Sequence, residues 1–247
     1  MSTSLRPLRV TAHLEAGIAH AHDWGIALDG LLAGLIHSAA KAQLLAGGGN
    51  HTPLLEQEDP TDLDLPLARC EHGAQWHWAA TCSWPIDGHQ LQPQVLRWSG
   101  RHDHRVSTSL TRQLPRHVDD QRGRYRAHWM PLTVTTTSAV TFDAVGDLEQ
   151  IRDLLQPVTA IGKKRAAGHG HVLSWTVTET DRSAWSAAHL HPNDTIGRPT
   201  PHACLEAPDA HAPHGATRTG PAGIRPPYSH PSRTRDLLLP APAHHDQ

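Results

Sequence analysis

A loop near residue 165 combines positive charge with permissive backbone. The stretch "IGKKRAAGHGHVLSW", residues 161 to 175, contains three cations, three glycines and two histidines. The candidate binding residues among them are Lys163, Lys164, Arg165, Gly168, His169, Gly170 and His171. Glycine reaches positive φ without steric cost, and exposed amides in such a turn can form an anion-binding nest. Side-chain cations and bare amides together make this loop a candidate phosphate-binding site.

The surroundings of this loop limit which phosphate compounds it can bind. The chain contains no G-x-x-x-x-G-K-[ST] sequence, and the glycines follow a predicted helix and precede a predicted strand. That order is the reverse of a dinucleotide fingerprint. A mononucleotide or NAD site is therefore disfavoured, and no cofactor is expected. Two interpretations stay open: an extended nucleic-acid backbone, or an ordinary turn with solvated cations.

A second basic segment lies earlier in the chain. "RWSGRHDHR", residues 97 to 105, interleaves arginines with rings: Arg97, Trp98, Arg101, His102, His104 and Arg105. Arginine–phosphate pairing and base stacking on a ring suit a single strand. Five more arginines make residues 97 to 126 positive in a chain of net charge −2. The alternative is a polar hairpin whose Trp98 covers the core, and the added arginines favour RNA modestly.

Metal binding is not expected from the local spacing of possible ligands. The closely spaced candidates are His20 with His22, His102 with His104, His169 with His171, and Cys70 with His72. None has zinc-finger spacing, and the separations between pairs do not repeat. Strand alternation explains these pairs more simply, so we predict no metal site and keep a histidine-rich metal-binding module as an alternative.

Catalytic motifs are also missing from the sequence. There is no G-x-S-x-G, no H-E-x-x-H and no evident carboxylate pair. Two histidines can cleave RNA without metal, one deprotonating the 2′-hydroxyl and the other protonating the leaving oxygen. Four histidines near the first strand and helix are candidates: His13, His20, His22 and His37. With 22 histidines in the chain nothing singles out a pair, so we expect no enzyme and keep an endoribonuclease as an alternative.

The cysteines and the hydropathy indicate the compartment. Cys70, Cys82 and Cys204 form no C-x-x-C pair, which fits a reducing cytosol better than a disulfide framework. The start "MSTSLRPLRV" lacks the apolar core of a signal peptide. No stretch approaches the roughly 20 apolar residues that cross a bilayer. We predict a soluble cytoplasmic protein without a membrane partner.

The elements that position these loops alternate between strands and helices. "LRPLRVTAHLEA" predicts a first strand, and "LDGLLAGLIHSAAKAQLL" has helical spacing. After a long insertion, "HWMPLTVTTTSAVTFDAV" is the best strand signal, "GDLEQIRDLLQPV" a short helix and "HVLSWTVTET" a last strand. This order predicts an α+β fold with a ferredoxin-like (RRM-like) unit over residues 1–182, with a basic insertion at about 85–128. Residues 183–247, rich in Pro, Gly and His, predict a partly disordered C-terminal strap.

Four segments in this order resemble the RAMP superfamily of CRISPR-associated proteins. They are "PLRVTAHLEAGIA…LDGLLA", "WSGRHDHR", "IGKKRAAGHGHV", and "GRPTPHACL" with "GIRPPY", and they span residues 7 to about 228. Each is weak alone, and their order and spacing carry the specificity. The pattern is most similar to the small RAMP subunit of type IV CRISPR complexes, the counterpart of the subunit that caps the crRNA 5′ handle in type I.

The resemblance implies a function and a set of partners. The chain would bind crRNA as a structural subunit of a type IV ribonucleoprotein, cap the 5′ handle and contact the adjacent backbone RAMP subunit. A large subunit would be a further partner, and target DNA an indirect one. The basic insertion would act as a thumb over the RNA, and the glycine loop would hold handle phosphates. Two residues of "GIRPPY", Arg225 and Tyr228, join the RNA-binding set.

Overall fold

The secondary structure comes from a computed structural model that describes residues 4–20, 22–86, 94–100, 128–215 and 217–241. In these ranges the strands, numbered in chain order, are β1 (Arg6–Leu14), β2 (Ile18–Ala19), β3 (Arg69–Cys70), β4 (His77–Trp78), β5 (Trp84–Pro85), β6 (Gln94–Gly100), β7 (His128–Thr135), β8 (Ala139–Gly146), β9 (Val172–Glu179), β10 (Arg218–Gly223) and β11 (Thr234–Leu239). The helices longer than a 3₁₀ turn are α1 (Leu28–Ala46), α2 (Leu148–Leu155) and α3 (Ala184–His189).

The central sheet is built around β1. Its apolar residues Leu8, Val10, Ala12 and Leu14 are buried, and the residues between them are partly exposed. This alternation is that of a strand with one face in the core. β1 pairs antiparallel with β8 on one side and with β9 on the other. β5 pairs with β8, so the sheet has the order β5-β8-β1-β9.

Helices cover both faces of this sheet. On one face, Leu32 of α1 and Ile151 of α2 pack in the same buried cluster as Val10 and Phe142. Asp147 caps α2 by accepting a hydrogen bond from the amide of Gln150 at 2.9 Å, as an N-cap aspartate does. On the other face, two alanines of α3 pack with Ala79 and Val145. Every residue of β8 is consequently buried.

A second sheet carries the base of the predicted insertion. Its order is β2-β7-β6. β6 and β7 form an antiparallel ladder from Gln94↔Val134 to Gly100↔His128. The predicted thumb therefore begins as a strand pair, and residues 101–127, which would form its tip, lie outside the described residues.

The C-terminal segment has more internal structure than its composition indicates. Within residues 183–247, which are rich in Pro, Gly and His, Trp185, Leu190, Ile196 and Ala207 form a buried cluster. β10 and β11 pair antiparallel, and the amide of Thr200 donates to the carbonyl of Leu238 at 2.9 Å. The domain boundary at residue 182 stays a prediction, and residues 242–247 lie outside the described residues.

The predicted α+β class is confirmed, since antiparallel sheets are combined here with few helices. Among the residues that the structure describes, none of the helices is both long enough and apolar enough to span a membrane.

Candidate nucleic-acid interface

The glycine loop has an unusual backbone that the sequence partly indicated. After Ile161 the chain reaches positive φ at Gly162 (82°), Lys164 (55°), Gly168 (88°) and Gly170 (68°). A short 3₁₀ turn, Arg165–Ala167, lies between Lys164 and Gly168. Only glycine adopts this region freely, so the glycines are needed for the shape of the loop, and Lys164 adopts it at a steric cost.

The loop is fixed to the rest of the fold through its backbone. The amide of Lys163 donates to the carbonyl of Ala19 at 2.9 Å, and the amide of Gly170 donates to the carbonyl of Gly17 at 2.9 Å. A Cβ at Gly170 would lie 1.9 Å from the carbonyl oxygen of Ile161, and one at Gly162 would lie 2.6 Å from that of Ala19. Both glycines therefore permit a close approach that a side chain would prevent.

The cations of the loop face solvent to different degrees. Lys163 and Arg165 are exposed, and Lys164 is half-buried. Neither Lys163 nor Arg165 forms an ion pair with another described residue. His169 is half-buried, and Nδ1 of the exposed His171 lies 2.6 Å from Oε2 of Glu15.

Strand β2 joins the glycine loop to the β6–β7 hairpin. Ile18 and Ala19 pair with Thr135 and Val134 of β7, and the amide of His20 donates to the carbonyl of Thr133 at 3.0 Å. The N–H and C=O groups of successive residues point to alternate sides of a strand. The backbone groups of residues 18 and 20 therefore point towards β7, and those of residues 17 and 19 point towards the glycine loop. The glycine loop and the β6–β7 hairpin, whose outer strand carries Arg97, therefore lie on opposite sides of one short strand.

The hairpin presents an arginine beside an exposed indole. The guanidinium of Arg97 lies 5.3 Å from the ring centroid of Trp129, within cation–π range. Trp129 is 69% exposed. The register pairs Ser99 with Trp129, which makes Arg97 a diagonal neighbour on the same face. Trp129 was missed in the sequence because "HWMPLTVT" indicated only a strand. The signal that could have found it is a tryptophan in a strand that pairs with the arginine-bearing segment "RWSGR".

The other predicted RNA-binding residues of "RWSGRHDHR" lie wholly or partly outside the described residues. Trp98 pairs with Met130 in the backbone register, but its side chain lies outside the described set, as do Arg101 and Arg105. Their roles stay predictions.

Arg225 and Tyr228 make contacts within the protein. Arg225 pairs with Asp62 at 3.0 Å, and its guanidinium lies 4.3 Å from the ring centroid of Trp76. The hydroxyl of Tyr228 donates to the carboxylate of Asp29 at 2.6 Å. Burial raises the pKa of Tyr228 well above its usual value. Both side chains thus hold the C-terminal segment against the domain, and their predicted RNA contacts stay untested.

Most of the chain matches one known protein family. A model of the family described as "CRISPR type IV associated protein Csf3" matches residues 6–228. The chain belongs to the Csf3 family. This confirms the resemblance to type IV CRISPR-associated proteins found in the sequence. No curated protein matches the chain.

The four histidines considered for RNA cleavage lie in three different surroundings in this Csf3-family chain. Nε2 of His13 lies 3.1 Å from Oγ1 of Thr176, and Nε2 of His20 lies 3.2 Å from Oγ1 of Thr135. His22 and His37 both line a cavity of about 780 Å³ between α1 and the C-terminal segment. Within it, His22 stacks on Trp24 with ring centroids 5.0 Å apart. The structure gives no reason to prefer one acid–base pair.

Among the described residues of the Csf3-family chain, one group of side chains could hold a metal ion. Cys70, His77, His189 and Cys204 are all buried, and their ligand atoms lie within 4.8 Å of one another. Of the closely spaced pairs considered in the sequence, only Cys70 belongs to this group. His189 and Cys204 were missed because they lie 119 and 134 residues from Cys70, and His77 was missed because only ligands one or two residues apart were considered.

Proposed function

We propose that this chain is the crRNA-binding structural subunit of a type IV CRISPR ribonucleoprotein, which caps the crRNA 5′ handle and contacts the adjacent backbone subunit. Membership of the Csf3 family supports the assignment to type IV CRISPR. The observation that carries the RNA-binding part is the position of the glycine loop and the β6–β7 hairpin on the two edges of β2.

The chemistry of the two segments is complementary. Lys163 and Arg165 are exposed and suit phosphate oxygens. Trp129 with Arg97 beside it offers a stacking platform for an unpaired base. Single-stranded RNA is bound through this combination of backbone charge and base stacking. A strand of RNA crossing β2 would meet both.

The ferredoxin-like interpretation belongs to the same proposal. A ferredoxin-like unit runs strand–helix–strand–strand–helix–strand. Here β1, α1, β5, β8, α2 and β9 follow in that order, and the sheet order β9-β1-β8-β5 supports the assignment. The glycine loop then lies between the last helix and the last strand of the unit.

The hairpin also supports contact with a neighbouring subunit. On the face opposite Arg97 and Trp129, two apolar side chains are exposed: Leu96 (41%) and Met130 (39%). An exposed apolar patch on a hairpin is typical of a protein–protein contact. We propose the backbone subunit as its partner, and the large subunit and target DNA as further members of the same complex.

Substitution of the three loop cations tests the proposal. We expect the variant with Lys163, Lys164 and Arg165 all replaced by alanine to retain less crRNA in the purified complex. Since single strands give a salt slope of about −0.7 per phosphate contact, the log–log slope should become shallower by about 2. The matched control replaces three exposed cations elsewhere, Lys41, Arg152 and Arg218. Equal RNA content and equal slopes in both variants would refute RNA binding by this loop.

We propose a binding role rather than RNA cleavage, and this has its own test. Incubation of the pure chain with repeat RNA in EDTA should leave the RNA intact. A defined product, lost on substitution of one of His13, His20, His22 or His37, would favour the endoribonuclease instead.

A further inference from the structure

Two thiols and two imidazoles meet inside the protein, and none of the four residues belongs to the proposed RNA interface. Cys70 ends β3, His77 begins β4, His189 ends α3, and Cys204 lies in a 3₁₀ turn, His202–Glu206. Their exposed fractions are 7%, 0%, 1% and 0%. Four polar groups are thus removed from water at one point, which is unfavourable unless each finds a strong partner.

Three of the six distances between their ligand atoms match the edges of a tetrahedral site, and all six are within 4.8 Å. Sγ of Cys70 lies 3.7 Å from Sγ of Cys204 and 3.4 Å from Nε2 of His189. Nε2 of His77 lies 3.4 Å from Sγ of Cys204. Zinc bonds of about 2.3 Å to sulfur and about 2.0 Å to nitrogen give tetrahedral edges of about 3.8 Å (S–S) and about 3.5 Å (S–N). The observed edges agree with these values.

The sulfur atoms are not placed for a disulfide. A disulfide requires about 2.05 Å between the two sulfurs, whereas here they are 3.7 Å apart, and both cysteines are free thiols.

Both histidines are oriented as metal ligands usually are. Nδ1 of His77 lies 2.9 Å from the carbonyl oxygen of Trp78, and Nδ1 of His189 lies 2.8 Å from that of Trp185. A ring that donates its Nδ1 proton to a carbonyl keeps the lone pair on Nε2, and such outer partners fix metal-binding imidazoles. In each ring it is Nε2 that faces the thiols.

We propose that Cys70, His77, His189 and Cys204 bind one structural Zn²⁺ ion. Two thiolates and two neutral imidazoles in a closed tetrahedron are a ligand set that zinc prefers. The two negative thiolates and the doubly positive ion sum to zero charge. This neutralisation offsets the free-energy cost of burying the thiolates away from water. Nδ1 of His72, 3.2 Å from Sγ of Cys70, lies outside the four and can donate to that sulfur.

The ion would connect parts of the chain that are remote in sequence. Cys70 and His77 flank the turn between β3 and β4, and their partners are 119 and 127 residues further along the chain. Zinc would hold α3 and the following 3₁₀ turn against the β3–β4 hairpin. Because such a site forms only in the folded chain, the binding energy adds to folding stability.

Metal analysis of the tag-free, full-length protein tests this proposal. Zinc is measured by mass spectrometry after dialysis against a weak chelator, which removes ions held by surface histidines. We expect one zinc per chain, and less than about a tenth of that in Cys204→Ser and His189→Gln. The control is Cys82→Ser, which changes a third buried cysteine outside the four. Wild-type protein with no more zinc than Cys204→Ser would overturn the proposal.

A second measurement keeps the proposal testable if the ligand variants fail to fold. The wild-type chain is stripped with a strong chelator and refilled with Co²⁺. Tetrahedral coordination with two thiolates gives intense visible ligand-field bands and a sulfur-to-metal charge-transfer band, and both should disappear on adding one equivalent of Zn²⁺. The weak spectrum of octahedral Co²⁺ without a charge-transfer band would place the metal on surface histidines and refute the site.

Discussion

Tyr228 donates its phenolic hydrogen to the carboxylate of Asp29, 199 residues away, at 2.6 and 2.7 Å from the two oxygens. Asp29 is in the first turn of α1 and is fully buried. Nη1 of the buried Arg198 lies 3.6 Å from the same carboxylate. The start of α1 is thus held to the C-terminal segment by a charge-assisted hydrogen bond in the interior.

Loss of the Tyr228 hydroxyl should destabilise the protein. Hydrogen bonds to charged groups contribute about 1.5–3 kcal/mol, so Tyr228→Phe should lower the free energy of unfolding by that amount. Urea denaturation monitored by tryptophan fluorescence measures it. The control is Ser229→Ala, which removes the adjacent exposed hydroxyl and should change stability by less than about 0.5 kcal/mol. Equal stability of both variants would contradict a structural role for this hydrogen bond.

The burial of Asp29 predicts a pH dependence of a definite sign. Burial raises the pKa of Asp29 in the folded protein, against the opposing effects of Arg198 and Tyr228. Between the unfolded and the folded pKa, the folded state retains a proton that the unfolded state has lost. The stability that Asp29 contributes is therefore present at low pH and is lost as pH rises above about 4, by at most about 1.4 kcal/mol per unit.

Comparison with Asp29→Asn isolates this effect. The difference in unfolding free energy, wild type minus Asp29→Asn, should decrease as pH rises from about 4. Denaturation curves of both proteins over a pH series provide the measurement. A difference that stays constant or increases with pH would show that the folded carboxyl is not harder to ionise than the unfolded one.

Two glycines of the loop should respond differently to the same substitution. A Cβ at Gly170 would meet the carbonyl oxygen of Ile161 at 1.9 Å, whereas one at Gly168 would meet nothing within 4 Å. Both have positive φ, so Gly168→Ala should cost about 1–2 kcal/mol of backbone strain. Gly170→Ala adds a backbone clash and should cost distinctly more. Thermal and urea unfolding compare the two, and equal costs would argue against the close packing of the loop.

Trp129 should contribute to RNA affinity out of proportion to its effect on stability. Stacking of one base on an aromatic ring is worth about 1–3 kcal/mol, so Trp129→Ala should weaken binding of single-stranded handle RNA by that amount. Leu55→Ala is the control because Leu55 is also highly exposed, at 60%. Fluorescence anisotropy gives both affinities. An unchanged affinity for Trp129→Ala would remove the stacking platform from the proposed interface.

Much of the main domain was predictable because its signals are local. The alternation in β1, the helical spacing of α1 and the β-branched run of β7 and β8 each depend on neighbours a few residues away. The glycine loop was recognisable for the same reason, since cations and glycines adjacent in sequence stay adjacent in space. The C-terminal cluster around Trp185 was not, because its members are diluted among prolines, glycines and histidines.

The sequence by itself determined the local elements, the glycine loop and the resemblance to type IV CRISPR proteins. Tertiary structure decided which distant residues meet. In the folded chain the glycine loop and the β6–β7 hairpin lie on opposite edges of β2. The hydroxyl of Tyr228 donates to Asp29, and Cys70 contacts Cys204, which is 134 residues away in the sequence. Such contacts leave no short-range spacing in the sequence, because they depend on how complete sheets and helices pack.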